Sequence, residues 1–150
     1  MKLAEALQER ADLARQIDRL AGRLNLNVIY QEGEKPAEDP KELFKELDAA
    51  SDRLRELIGR INSTNCQTVC DGKTLTQMIA DKDVLVKKLA CYKNVAMSAS
   101  QTAARARGTE IEMLSAVDVK KLQKQIDDMS KELRQLDNKI QSLNWTTELI

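Results

Sequence analysis

Val119, Leu122, Ile126, Met129, Leu133, Leu136, Ile140 and Leu143 step alternately by three and four residues through the last third of the chain. That alternation keeps eight apolar side chains on one narrow stripe of a long α-helix, the geometry that packs helix against helix. The pattern predicts a helix capped by Asp118 and running to about Asn144. A helix of this kind requires partners, and the rest of the chain supplies three.

Leu3, Ala6, Leu13, Ile17, Leu20 and Leu24 follow helical spacing to about Asn25, with Ala14 and Ala21 widening the face. Asp39-Pro40-Lys41-Glu42 reads as a helix start, with Asp at the N-cap, Pro at the first helical position and Glu at the reciprocal capping position. The stripe that follows is Leu43, Leu47, Ala50, Leu54, Leu57 and Ile61, with Phe44 and Ile58 alongside, and it is expected to fade into Asn62-Ser63-Thr64-Asn65. Asp71-Gly72 marks a turn, and Thr74 with Gln77 forms a capping box for a third helix. That helix uses Leu75, Met78, Ile79, Leu85, Val86, Leu89, Tyr92, Ala96 and Ala99, and Gly108 is its expected end. Asn94 to Ala104 is uncharged and rich in small residues, which favours close packing of helices.

Two connections read as short strands. Asn27 to Glu32 is β-branched and aromatic at its centre, and Thr109 to Leu114 alternates polar and apolar residues. The expected fold is therefore mainly α: one domain over residues 1–150, an up-down-up-down four-helix bundle, with those two connections paired as a two-stranded β ribbon at one end. The opposite end would collect a polar cluster of Asn62, Thr64, Asn65, Thr74, Asn144, Trp145 and Thr146, joined by Ser63, Thr76 and Thr147. Ser, Thr and Asn also satisfy free helix ends, so capping accounts for such a cluster as well as ligand binding does.

Composition narrows the function classes. The 150 residues hold 24 basic and 24 acidic side chains, and neither half is a polycation, which argues against phosphate-driven nucleic-acid binding. Tyr30, Phe44, Tyr92 and Trp145 are the only aromatic residues, too few for a base-stacking platform. There is no histidine, which removes Ser-His and Cys-His nucleophilic systems and the commonest transition-metal ligand. No segment approaches the roughly 18 to 20 apolar residues of a membrane span, and the N-terminus is amphipathic rather than a signal peptide, so a cytoplasmic protein is expected. Cys66, Cys70 and Cys91 read as ordinary reduced thiols, because two cysteines four residues apart lack the four ligands of structural zinc. Glu32, Glu34, Glu38 and Asp39 crowd the first connection without the spacing of a calcium loop, and the five scattered glycines build no phosphate-binding loop. No catalytic residue, cofactor or metal ligand is assigned.

Charge patterning gives one further indication. Arg15, Arg19 and Arg23 recur every four residues on the first helix, and Asp48, Asp52 and Glu56 do so on the second. Each like-charged neighbour costs a helix roughly 0.2 to 0.5 kcal/mol, which a meeting of opposite stripes would relieve. Counting about 100° per residue turns both stripes away from their own apolar faces, so the predicted meeting is between copies of the chain.

Met1-Lys2-Leu3-Ala4-Glu5-Ala6-Leu7, Gln31-Glu32-Gly33-Glu34, Glu38-Asp39-Pro40, Arg60-Ile61-Asn62 with Thr64-Asn65, Gly72 with Thr74-Leu75-Thr76, Val117-Asp118-Val119 and Leu143-Asn144-Trp145-Thr146-Thr147 together resemble a family of small bacterial proteins, many of which carry the label septicolysin. The resemblance spans nearly the whole chain and implies a helical, self-associating protein without assigned catalytic residues. The label itself would imply a secreted pore-forming toxin, whereas Asn94 to Ala104, the only uncharged candidate for insertion, is short and polar. The leading expectation is a non-enzymatic homo-oligomer acting through protein contacts, with an unidentified protein partner as a further option. A small-molecule binding protein or enzyme using the polar end is the alternative from another class, and a septicolysin-like toxin is the third.

Overall fold

A computed structural model describes residues 1–101 and 111–150. Among them are four long helices, α1 (Leu3–Asn27), α2 (Pro40–Gln67), α3 (Leu75–Ala99) and α4 (Val119–Thr146), with two short strands, β1 (Val69–Cys70) and β2 (Lys73–Thr74), between α2 and α3. The fold is mainly α with a short two-stranded ribbon, as the hydrophobic periodicity requires.

The helix starts follow the expected capping chemistry except at Glu42, whose carboxylate accepts from Lys45 Nζ at 2.7 Å rather than closing a reciprocal box with Asp39. The Glu5 carboxylate accepts from the Lys2 amide at 2.7 Å, and Asp39 Oδ1 accepts from the Lys41 amide at 2.9 Å behind Pro40. Thr74 and Gln77 close a reciprocal capping box, with bonds of 2.9 and 3.2 Å. Asp118 Oδ1 accepts from the Lys121 amide at 3.1 Å at the start of α4.

The chain folds as two compact units, Met1–Cys70 with Leu143–Ile150, and Asp71–Ser142. In the first, α1 and α2 lie antiparallel. Leu20, Leu24 and Leu43 form a buried cluster with Leu47 against it, and Leu3, Ala6, Ala50, Leu57 and Ile61 are also buried. Arg53 clamps Glu9 across the pair with two hydrogen bonds of 2.7 and 3.0 Å. In the second unit Leu89 and Ala96 of α3 meet Ile126 and Met129 of α4, flanked by Leu85, Tyr92, Leu122 and Leu133. All eight members of the α4 seam are buried or half-buried.

Two boundaries differ from expectation. α1 continues through Asn27, and Val28 to Tyr30 form no strand; Ile111 to Leu114 form none either, so the ribbon expected between these connections is absent there. Thr109, Glu110, Gly108 and the end of the small-residue segment lie outside the described residues. The observed ribbon instead closes on Asp71-Gly72, whose φ values of 49° and 77° give the left-handed pair that a two-residue hairpin needs. A Cβ on Gly72 would meet nothing within 4 Å, so Gly72→Val is expected to cost about 1–2 kcal/mol through backbone strain alone. A urea melt measures that cost, and an unchanged midpoint would mean the turn tolerates another conformation. α2 overruns Asn62 to Asn65, and there the Thr64 and Thr68 hydroxyls donate to the carbonyls of Arg60 and Thr64, each at 2.8 Å, so they are satisfied on the helix rather than by an alternative turn.

Candidate functional site

The connection between α1 and α2 is fixed at both ends by polar contacts and is apolar at its centre. Asn27 is buried; its Nδ2 donates to the Arg23 carbonyl at 2.8 Å, and its Oδ1 accepts from the Glu38 amide at 3.0 Å. One side chain thus ends α1 and pins the returning arm of the loop. Arg23 reinforces the closure, its Nε reaching both Glu38 carboxylate oxygens at 3.0 and 3.1 Å and its Nη1 reaching Glu46 at 3.5 Å. That hydrogen bonding holds the Glu38 carboxyl below its usual range, against the opposing effect of desolvation. Within the loop the Glu34 amide donates to the Gln31 carbonyl at 3.0 Å, and Gly33 supplies the φ of 87° that the turn needs.

Between these anchors the chain exposes large apolar side chains. Leu26 is 81% and Ile29 85% exposed, and Val28, Tyr30 and, on α2, Phe44 are each at least half exposed. Beside them lies an open groove of about 580 Å³. Val28, Tyr30, Pro36 and Pro40 give it an apolar lining, and Asn27, Lys35, Glu38, Asp39 and Lys41 give it polar groups. Glu38 is already held by Arg23 and Asp39 by the α2 amide, while Lys35 and Lys41 take no ion-pair partner among the described residues.

The polar cluster expected at the other end is mostly a terminal clamp. Leu3 donates to the Thr147 carbonyl and Leu149 to the Met1 carbonyl, both at 2.9 Å, forming an antiparallel bridge between Lys2 and Glu148. Lys2 Nζ lies 2.6 Å from Glu148, and the Met1 amino group lies 3.2 Å from it. Both contacts lower the Glu148 pKa, the hydrogen bond from Lys2 most. Thr64 is fully buried and accepts from the Ile150 amide at 3.1 Å, while Arg60 Nε donates to the Ile150 carbonyl at 2.8 Å. Asn144 is buried, Asn65 half-buried, Asn62 and Thr146 exposed, and Lys2 Nζ donates to the Thr146 carbonyl at 3.2 Å. Trp145 is 61% exposed, so it does not fill this end. Thr74 belongs to the other unit, where it caps α3.

The charge stripes also meet partners at home. Arg15 pairs with Asp12, Arg23 with Glu38 and Glu46, Asp52 with Arg55, and Glu56 with Arg53 and Arg60. Glu56 is held below the usual carboxylate range, chiefly by the hydrogen bond from Arg53. Of the six stripe residues only Arg19 and Asp48 take no ion-pair partner among the described residues, so a contact between copies has little unsatisfied charge to use there. Sequence reasoning does not single out Leu26, Val28 and Ile29, nor Lys35 and Lys41. The signal available is a run of apolar residues following the end of the α1 stripe, which also fits a strand.

Among the described residues no group of three or more His, Cys, Asp or Glu is placed to hold a metal ion, and no helix is long and apolar enough to cross a membrane. No curated protein matches the chain. The crystal structure of a functionally unknown conserved protein from Corynebacterium diphtheriae is similar to it, with a TM-score of 0.91 and 38% identity over 100% of this chain and 99% of that one. A model of a family of unknown function, DUF6847, matches residues 10–149. With nearly its whole length matched, the chain belongs to that family of unknown function, DUF6847.

Proposed function

We propose that this chain is a non-enzymatic protein that acts through protein contacts, copies of itself included, and that the α1–α2 connection is the contact surface. The exposure of Leu26, Ile29 and Phe44 around a loop whose ends are pinned by Asn27, Arg23 and Glu38 is the observation that supports this reading. Fully burying a Leu, Ile or Phe side chain contributes about 1.5–3 kcal/mol, so covering these exposed residues would favour association. The fixed loop ends limit the ordering entropy that association must offset. A net charge of zero leaves no overall repulsion between two copies.

The chemistry around the loop points the same way. Two of its carboxylates are engaged, Glu38 by Arg23 and Asp39 by the start of α2, which leaves neither of these two placed as a general base. The buried Thr64 of the other candidate site is likewise engaged, holding Ile150 rather than a ligand. Sedimentation equilibrium over a range of concentrations tests the reading. The wild-type mass is expected to rise with concentration, and Ile29→Asp to hold the chain as a monomer. A monomeric wild type, or an Ile29→Asp variant that associates equally well, would remove the crest from the account.

A further inference from the structure

We infer that the crest of one copy docks on the α3–α4 connection of a second copy, with Leu26 and Ile29 covering Ile111 and Leu114 and the carboxylates of the α1–α2 connection facing the lysines at the start of α4. The inference rests on the protein-contact reading and names what the crest meets. After Leu26 and Ile29, Leu114 and Ile111 are the most exposed large apolar side chains of the described residues, at 80% and 77%. Met113 and Val117 of the same segment are exposed as well. An open groove of about 280 Å³, lined by Val95 and Ala99 of α3 and by Met113 to Val117, gives this patch a seat for an incoming aliphatic side chain.

Charge selects the pairing. Between α1 and α2 the chain carries Glu32, Glu34, Glu38 and Asp39 against Lys35, and adding Arg23 and Lys41 from the flanking helices still leaves the carboxylates in excess. Glu32 and Glu34 take no ion-pair partner among the described residues. At the other connection the balance is reversed. Lys93 on α3 and Lys120, Lys121 and Lys124 on α4 outnumber Glu112 and Asp118, and none of the four takes an ion-pair partner among the described residues. The same opposition holds over the whole units: by sequence the first carries 14 acidic and 11 basic side chains, the second 10 acidic and 13 basic. Lys120 and Lys121 also stand in the first turn of α4, which has no acidic residue and where the helix dipole opposes a cation by about 0.3–1 kcal/mol. Carboxylates from a second copy relieve that cost. A crest meeting another crest would set Glu32 and Glu34 against their own kind, which disfavours that pairing. The contact is therefore heterologous, and each pair of copies retains one free crest and one free connection.

Two single variants and their mixture provide the test. Ile29→Asp blocks the crest and Leu114→Asp blocks the connection, each at an exposed position where circular dichroism should be unchanged. By sedimentation velocity each variant alone is expected at monomer mass. Their equimolar mixture is expected to form a dimer, because a mixed pair joins one intact crest to one intact connection. Lys120→Glu/Lys121→Glu/Lys124→Glu should weaken association roughly tenfold or more at low salt, and adding Glu32→Lys/Glu34→Lys to the same chain should restore it. Carboxylates at a helix start favour the helix, so unfolding would not account for that loss. A mixture that stays monomeric would overturn the inference. So would a Leu114→Asp variant that associates like the wild type, and so would charge reversal without effect. If Ile29→Asp is still monomeric in those cases, the protein-contact reading survives and only the surface that the crest meets is lost. A wild type that is monomeric at every concentration removes both.

Discussion

Leu20→Ala is expected to lower the stability of the first unit by about 2–5 kcal/mol, the usual cost of emptying a well-packed leucine site. Leu20 is 1% exposed and packs with Leu24, Leu43 and Leu47, so it joins the two helices whose connection forms the candidate site. Removing its branched end loses contacts on both helices at once and leaves a cavity that neither rigid helix can collapse to fill. Leu26→Ala makes the same chemical change further along α1, at a side chain 81% exposed, and should move stability by less than about 0.5 kcal/mol. Urea melts followed by the fluorescence of Trp145, which lies in the same unit, separate the two. Equal effects would mean that the α1–α2 core is not where the structure places it.

The second large effect is expected at the chain ends. Leu149 is buried, and its backbone forms part of the bridge to Met1, so Leu149→Ala should cost about 2–3 kcal/mol. Thr64→Val, nearly isosteric, removes the acceptor of the Ile150 amide and should cost about 1–3 kcal/mol by leaving that group unsatisfied. Because both changes loosen the same tail, the double variant should lose less than the sum of the two. Acid should act similarly. Glu148 has its folded pKa lowered by Lys2 and the Met1 amino group, so its contribution is complete above the ordinary carboxylate value and is lost as pH falls through the lowered one. Hydrogen exchange at Thr147 to Ile150 measures the loosening directly. Additive losses, or a tail already unprotected in the wild type, would contradict the clamp.

How much of the fold is legible in the residues alone depends on whether the signal is local. The α4 seam, the Asp39-Pro40 start, the Thr74/Gln77 box and the Asp71-Gly72 turn are all set by neighbours within a few residues, and each is present. The ribbon lies elsewhere than expected because Val28-Ile29-Tyr30 has high strand propensity, and strand formation also requires a pairing neighbour. Asn27 instead closes the last turn of α1 with its side-chain amide and tethers Glu38, an interaction between residues eleven apart that no periodicity reveals. The partners that the charge stripes find within the chain are hidden for a related reason. Four-residue spacing records repulsion along one helix but not the three-residue pairs Asp12–Arg15, Asp52–Arg55 and Arg53–Glu56, nor the cross-helix clamp of Arg53 on Glu9. The polar end is partly legible: Thr64 and Asn144 are buried, but Thr64 engages Ile150 of the tail, and Trp145 is turned toward solvent.

The candidate site becomes visible only when exposure can be compared with anchoring. An exposed leucine or isoleucine alone is ordinary on a protein surface. Leu26 and Ile29 stand out because the segment bearing them is bracketed by the buried Asn27 and by the Arg23–Glu38 pair, so the apolar crest is held in place rather than left to fold inward. Hydrogen exchange of residues 26–37, recorded by mass spectrometry at low and high protein concentration, tests this account most directly. Protection of that segment that rises with concentration is the predicted result; protection that is independent of concentration there, or that rises only elsewhere, would contradict it.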